Sequence, residues 1–172
     1  MEHTIKSLFL SDDIIPISTI EENKEVYLTD LQRLIHEGDE DLSSLEVILD
    51  LIQDDAFYNL ITRSFERPQL TYIYHLEDGS IIYNELYISP MSEEQLFFLI
   101  SFTMKQLLLE DRYNVKIATN GTNTNLYIDS HDKTRDFVDI KEDWMYFHDQ
   151  LIHYITLIKY LHRLYTGKEG YH

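Results

Sequence analysis

Residues 70–88 read LTYIYHLEDGSIIYNELYI. Two runs rich in Tyr and Ile, 70–76 and 80–88, flank Asp78-Gly79. A tight primed turn needs residues that tolerate positive φ, so this stretch predicts a β-hairpin. A second hairpin is predicted from Tyr113–Thr119 to Asn125–Asp129 around Asn120-Gly121. Between the two, Ser92-Glu93-Glu94-Gln95 follows Pro90 as a capping box and opens an apolar helix reaching about Asp111. Glu110-Asp111 then reads as the end of that helix, and Glu142-Asp143 as the start of the next. A polar loop over 130–141 leads into this long last helix, about 142–165, which stops at Gly167.

Upstream of the hairpins, residues 5–10 read as a short strand, with an irregular segment around Pro16. A helix is expected over about 21–37, where Val26, Leu31, Leu34 and Ile35 recur near helical spacing and Gly38 can end it. Leu42, Leu45, Ile48, Leu49 and Ile52 trace one apolar stripe, capped by Ser43 or Asp41. Asp54-Asp55 marks a break or a new helix start leading into Phe57, Leu60, Ile61 and Phe65, and Pro68 closes the helical third. The expected order is ααββαββα: an α+β fold with an antiparallel sheet of two hairpins packed with four to five helices.

At 172 residues, with no linker rich in Gly, Pro or Ser and no internal repeat, the chain reads as one domain over 1–172. Its sub-regions are an acidic, mainly helical part at 1–67 and a hairpin-helix-hairpin-helix part at 68–167. The absence of cysteine excludes disulfides, thiolate metal sites and cysteine catalysis. Neither a signal-peptide pattern nor an apolar run of membrane-spanning length is present, so a cytoplasmic protein is expected.

The charge is lopsided. Residues 1–66 hold 16 acids and 4 bases, a net of −12, and residues 67–172 hold 15 and 10, a net of −5. Between Arg33 and Arg63 there is no Lys or Arg, against eight carboxylates: Glu37, Asp39, Glu40, Asp41, Glu46, Asp50, Asp54 and Asp55. A surface this negative repels nucleic acid and anionic membrane and attracts basic partners, most strongly at low ionic strength. Glu46 and Asp50 lie one helical turn apart, and Asp54 extends the row if the helix continues. Such a ladder repeats about every 6 Å, close to every second phosphate of a DNA strand at about 3.4 Å each. Like charges at this spacing cost a helix a few tenths of a kcal/mol, and no basic residue is placed to relieve them. The alternative is an ordinary solvated face.

Other candidate chemistry is weaker. His148, His153 and His162 fall on the last helix, but the five-residue gap between the first two puts them on different faces. No metal site is expected from them; solvent-facing or aromatic-packed histidines are. Residues Asp129 to Asp136 lack the glycine and terminal glutamate of a calcium loop. Asn120-Gly121 is not a phosphate loop, and there is no Gly-x-Ser-x-Gly elbow. The reading is therefore not an enzyme, with no cofactor. The 13 tyrosines, concentrated at Tyr72, Tyr74, Tyr83, Tyr87, Tyr146, Tyr154, Tyr160 and Tyr165, suit both sheet packing and self-association as a homodimer.

A small, cysteine-free, acidic and tyrosine-rich domain without a catalytic motif resembles the small acidic host-takeover inhibitors of phages and mobile elements. Some of these are DNA mimics: sliding-clamp inhibitors, anti-restriction proteins and anti-CRISPR proteins. The resemblance is one of character, carried by the 34–62 stretch and the net charge. It implies a competitive mechanism, in which the eight carboxylates above dock on the Lys and Arg of a basic DNA-processing or replication protein and exclude nucleic acid. An immunity protein or antitoxin blocking a basic nuclease is the alternative. A small α+β enzyme or metal-binding domain, or an inert acidic adaptor, are the others.

Overall fold

A computed structural model of the chain describes residues 3–11, 14–37, 43–55, 68–121 and 123–167. Among these are six α-helices and four strands: α1 (Ile5–Leu10), α2 (Ile17–Glu22), α3 (Lys24–Glu37), α4 (Ser43–Gln53), β1 (Gln69–His75), β2 (Ile81–Tyr87), α5 (Glu93–Gln106), β3 (Tyr113–Asn120), β4 (Asn123–Ser130) and α6 (Phe137–Thr166). The chain forms two compact units, Met1–Asn59 with His153–His172, and Leu60–Ile152.

In the second unit both predicted hairpins form, β1 with β2 and β3 with β4, each antiparallel. They join along β1 and β4, which run parallel, so the sheet is mixed with the order β2-β1-β4-β3. The expectation of a purely antiparallel sheet is thereby corrected. Strand β1 is buried at five consecutive positions, Leu70 to Tyr74, so its side chains are covered on both faces of the sheet. In β2 every second residue is exposed, the pattern of an edge strand.

The first turn also differs from expectation. Gly79 N–H donates to the Leu76 carbonyl at 2.9 Å and Leu76 N–H to Ser80 at 3.0 Å, with Gly79 at φ 87°. Asp78 is not at positive φ, so the connection is a longer loop closed by a left-handed glycine rather than a primed two-residue turn. In the second hairpin Asn120 pairs with Asn123 and Gly121 takes φ 64°, one residue later than the sequence placed the turn.

One face of the sheet carries Leu70, Tyr72, Tyr74, Leu126, Ile128 and Tyr113, all buried. The first half of α6 packs on it: Trp144, fully buried, meets Tyr113 at 5.5 Å, Phe147 at 4.9 Å and Tyr72 at 6.4 Å. Helix α5 reaches the same face where Thr119 Oγ1 donates to Glu93 at 2.7 Å. The predicted capping box at Ser92 and Gln95 is formed. The helix ends at Gln106, short of Asp111, because Leu108 turns into the left-handed region (φ 58°) and a single 3-10 turn follows that buries Leu109. Only Gly and Asn adopt that conformation cheaply, and the Leu108 side chain is exposed. Leu108→Gly should therefore raise stability by about 0.5–1 kcal/mol, read as a higher urea midpoint at unchanged slope.

Helix α6 starts at Phe137, five residues before the expected 142. Asp136 caps it, accepting from Asp139 N–H at 2.9 Å, and buried Ile140 extends the apolar face backwards. Asp143, read from sequence as part of a helix start, instead lies inside α6.

In the first unit, residues 5–10 are helical rather than extended. Thr4 and Ser7 form a reciprocal capping box, and Ile5, Leu8 and Phe9 bury one face at helical spacing. The helix expected over 21–37 is split at Asn23, whose side-chain amide donates back to Thr19 O at 2.9 Å. The break sets the register of α3, so Tyr27, Leu31 and Leu34 are buried and Val26 is exposed. The apolar stripe of α4 packs as predicted at Leu45, Ile48, Leu49 and Ile52. Among the described residues four helices precede the first hairpin, where two were expected. Leu42, the segment 56–67 and Gly38 lie outside the described residues, as do the side chains proposed to cap α4.

Candidate functional site

The side of α4 opposite its buried stripe carries Glu46 and Asp50, both exposed. Their separation of four residues places them one turn apart. Glu46 also stands in the first turn, where a carboxylate complements the positive end of the helix dipole. The helix ends at Gln53, so Asp54 leaves the row and is only half-exposed. Asp55 is exposed, with Oδ1 3.5 Å from Nε2 of fully buried His162. The other ring nitrogen of His162 is 2.8 Å from the Ile52 carbonyl, near the C-terminal end of α4. Glu37 ends α3 and lies 3.9 Å from Arg33, which Asp30 also engages at 2.8 Å. Asp39, Glu40 and Asp41 lie outside the described residues. Of the eight proposed docking carboxylates, two therefore form an exposed helical pair, and Asp54 and Asp55 follow the helix end.

The other two histidines read from the last helix each lie beside a tyrosine ring. His148 is buried beside Tyr72, the ring nitrogen Nδ1 and the phenol oxygen 2.6 Å apart. Burial lowers the His148 pKa and raises that of Tyr72 well above its ordinary value, so the pair is neutral near pH 7. His153 packs against Tyr154, its pKa also lowered by burial. Among the described residues no group of three or more His, Cys, Asp or Glu is placed to hold a metal ion.

A pH dependence follows from His148. Its folded pKa lies below the unfolded value, so on acidification the unfolded chain takes up the proton first. The stability contribution is fully present above about pH 6.5 and is lost as the pH falls toward the folded pKa. The urea midpoint should drop between about pH 7 and 5, and His148→Gln should flatten that part of the profile.

In the second unit a cleft of about 450 Å³ opens between the β1–β2 loop and the 130–136 loop. Its aspartates are committed locally. Asp78 accepts from Ser80 N–H, Asp129 pairs with Lys133 at 2.6 Å, Asp132 accepts from Thr134, and Asp136 caps α6. The aspartates of 129–136 that fail to match a calcium loop are thus turn and cap residues. Behind the cleft, Asp143 accepts from Tyr113 OH at 2.6 Å and pairs with Arg135 at 2.8 Å. Burial and the Asp143 carboxylate raise the Tyr113 pKa, keeping the phenol protonated as donor. Sequence reading missed Asp143 as the centre of this network; its partners lie 30 residues upstream and in a loop, so no spacing signals them.

No protein-family model, curated protein or solved structure matches the chain. No helix among the described residues is long and apolar enough to cross a membrane.

Proposed function

We propose that this protein is an acidic inhibitor that binds the basic nucleic-acid-binding surface of a DNA-processing or replication protein in the cytoplasm and competes with DNA there. The exposed pair Glu46 and Asp50 on α4, in a chain of net charge −17 with no Lys or Arg between Arg33 and Arg63, carries the reading. A rigid helix holds its carboxylates at fixed spacing, which favours recognition of a patterned basic groove over diffuse attraction. The opposite side of α4 is filled by Leu45, Ile48 and Ile52, so the acidic side is what the helix offers to a partner.

The test is capture from a bacterial lysate at about 50 mM and 500 mM salt, followed by DNA competition on the captured protein. Retention at low salt, release at high salt and displacement of duplex DNA by this chain support the reading. A partner that keeps its DNA with this protein bound removes the competitive mechanism.

A further inference from the structure

We propose that the open edge of β3, with the recess beside it on α5, is the docking site for an extended, arginine-bearing segment of a partner protein. Both elements belong to the second unit. Among the described residues β3 is the outer strand of the sheet and pairs with β4 alone. Asn114, Lys116, Ala118, Thr119 and Asn120 are exposed along it. Besides its bonds to β4, the strand makes two hydrogen bonds among the described residues, from the Tyr113 side chain to Asp143 and from the Thr119 side chain to Glu93. An edge strand so placed turns the N–H and C=O of every second residue outward, which is the template for adding another strand.

The recess fixes the chemistry of the occupant. Thr119 Oγ1 donates to Glu93 at 2.7 Å, which brings the first turn of α5 to this end of β3. Phe97 stands one turn further along the same side of α5 and is 47% exposed. Glu93, Glu94, Phe97 and Phe98 line a recess of about 530 Å³, and Phe98 stacks on Phe102 at 6.0 Å. Neither Glu93 nor Glu94 pairs with a basic side chain among the described residues. Carboxylates in a first turn complement the helix dipole, but the dipole gives no reason for Phe97 to stand half-exposed beside them. Aromatic rings next to unpaired carboxylates suit a cation with a flat face. A guanidinium stacks on the ring and donates two hydrogen bonds to one carboxylate, so arginine fits better than lysine.

Edge and recess select the same occupant. A residue of an incoming strand opposite Thr119 shares its face of the sheet, and that is the face Glu93 reaches. Lys116 lies on the other face by alternation, so it does not oppose a cation there. A second copy of this chain fits poorly. Its own β3, paired about a two-fold axis, presents Tyr113, Val115, Ile117 and Thr119 on this face, none of them basic. Two chains of net charge −17 also repel each other. Nucleic acid meets the same net charge and two carboxylates in the recess. None of these residues belongs to α4, so the site is independent of the acidic-inhibitor reading.

Fluorescence anisotropy of a labelled peptide of alternating valine and arginine, titrated with the full chain at about 150 mM salt, tests the proposal. Saturable binding with a dissociation constant on the order of 100 µM is expected. Phe97→Ala and Glu94→Gln should each raise it about tenfold or more, with the melting temperature held within about 3 °C. Of the two alternate sets of peptide backbone nitrogens, methylating one should abolish binding and methylating the other should spare it, since only one set faces β3. The same peptide with lysine for arginine should bind more weakly. No saturation by about 1 mM, equal binding by the Phe97→Ala chain, or equal effects of the two methylations overturns the proposal. A lysine peptide that binds as tightly overturns the choice of arginine. Glu46→Lys with Asp50→Lys should leave the affinity within about twofold, so failure here and failure of the acidic-inhibitor reading are read separately.

Discussion

Trp144→Ala should destabilise the protein by about 3–5 kcal/mol, the largest loss expected from any single substitution discussed. The indole is fully buried, ringed by Tyr113, Phe147 and Tyr72. These side chains come from β3, α6 and β1, so the cavity opens where three elements meet and cannot close by one side chain relaxing. Domains have total stabilities of about 5–15 kcal/mol, so the variant should be partly unfolded at 37 °C. Trp144→Phe should cost much less, because it also removes an indole N–H that is buried without a hydrogen-bond partner. Urea unfolding followed by far-ultraviolet circular dichroism gives both values. A loss under about 1 kcal/mol for the alanine variant would falsify the placement of Trp144 at the centre of the core.

The second large effect is on binding. Replacing Glu46 and Asp50 by lysine should weaken capture of the basic partner by about 100-fold, at roughly 1.4 kcal/mol for each reversed contact. Both side chains are exposed on α4 and neither is part of its buried stripe, so the fold should survive. Glu46→Lys loses a favourable helix-dipole contact, Asp50→Lys relieves like-charge repulsion, and both effects are a few tenths of a kcal/mol. Neutral variants, Glu46→Gln with Asp50→Asn, should fall between wild type and reversal. Affinity should also depend less steeply on salt as carboxylates are removed. Equal affinity in wild type and lysine variant, at equal melting temperature, removes α4 from the mechanism. Asp55 is left out of this set because its proximity to buried His162 ties it to the packing of α4 and α6.

The sequence by itself determined the features that depend on neighbours along the chain. Asp78-Gly79 between two Tyr- and Ile-rich runs specified the first hairpin, Ser92 and Gln95 specified the start of α5, and Leu45, Ile48 and Ile52 specified the buried side of α4. That left Glu46 and Asp50 exposed on α4. Each rests on local turn geometry, capping or helical period. Tertiary structure alone decided the rest. The parallel pairing of β1 with β4 joins strands some fifty residues apart, and neither strand's pattern encodes its neighbour's direction. The early start of α6 depends on Asp136 acting as a cap, and the end of α5 on Leu108 accepting positive φ so that Leu109 can be buried. Residues 5–10 carry a short apolar run that fits strand or helix, and the helix is fixed by the Thr4 and Ser7 box and by Ile5 N–H donating to Asp30 at 2.8 Å. Long-range packing chose among conformations that local preference left within about a kcal/mol of one another.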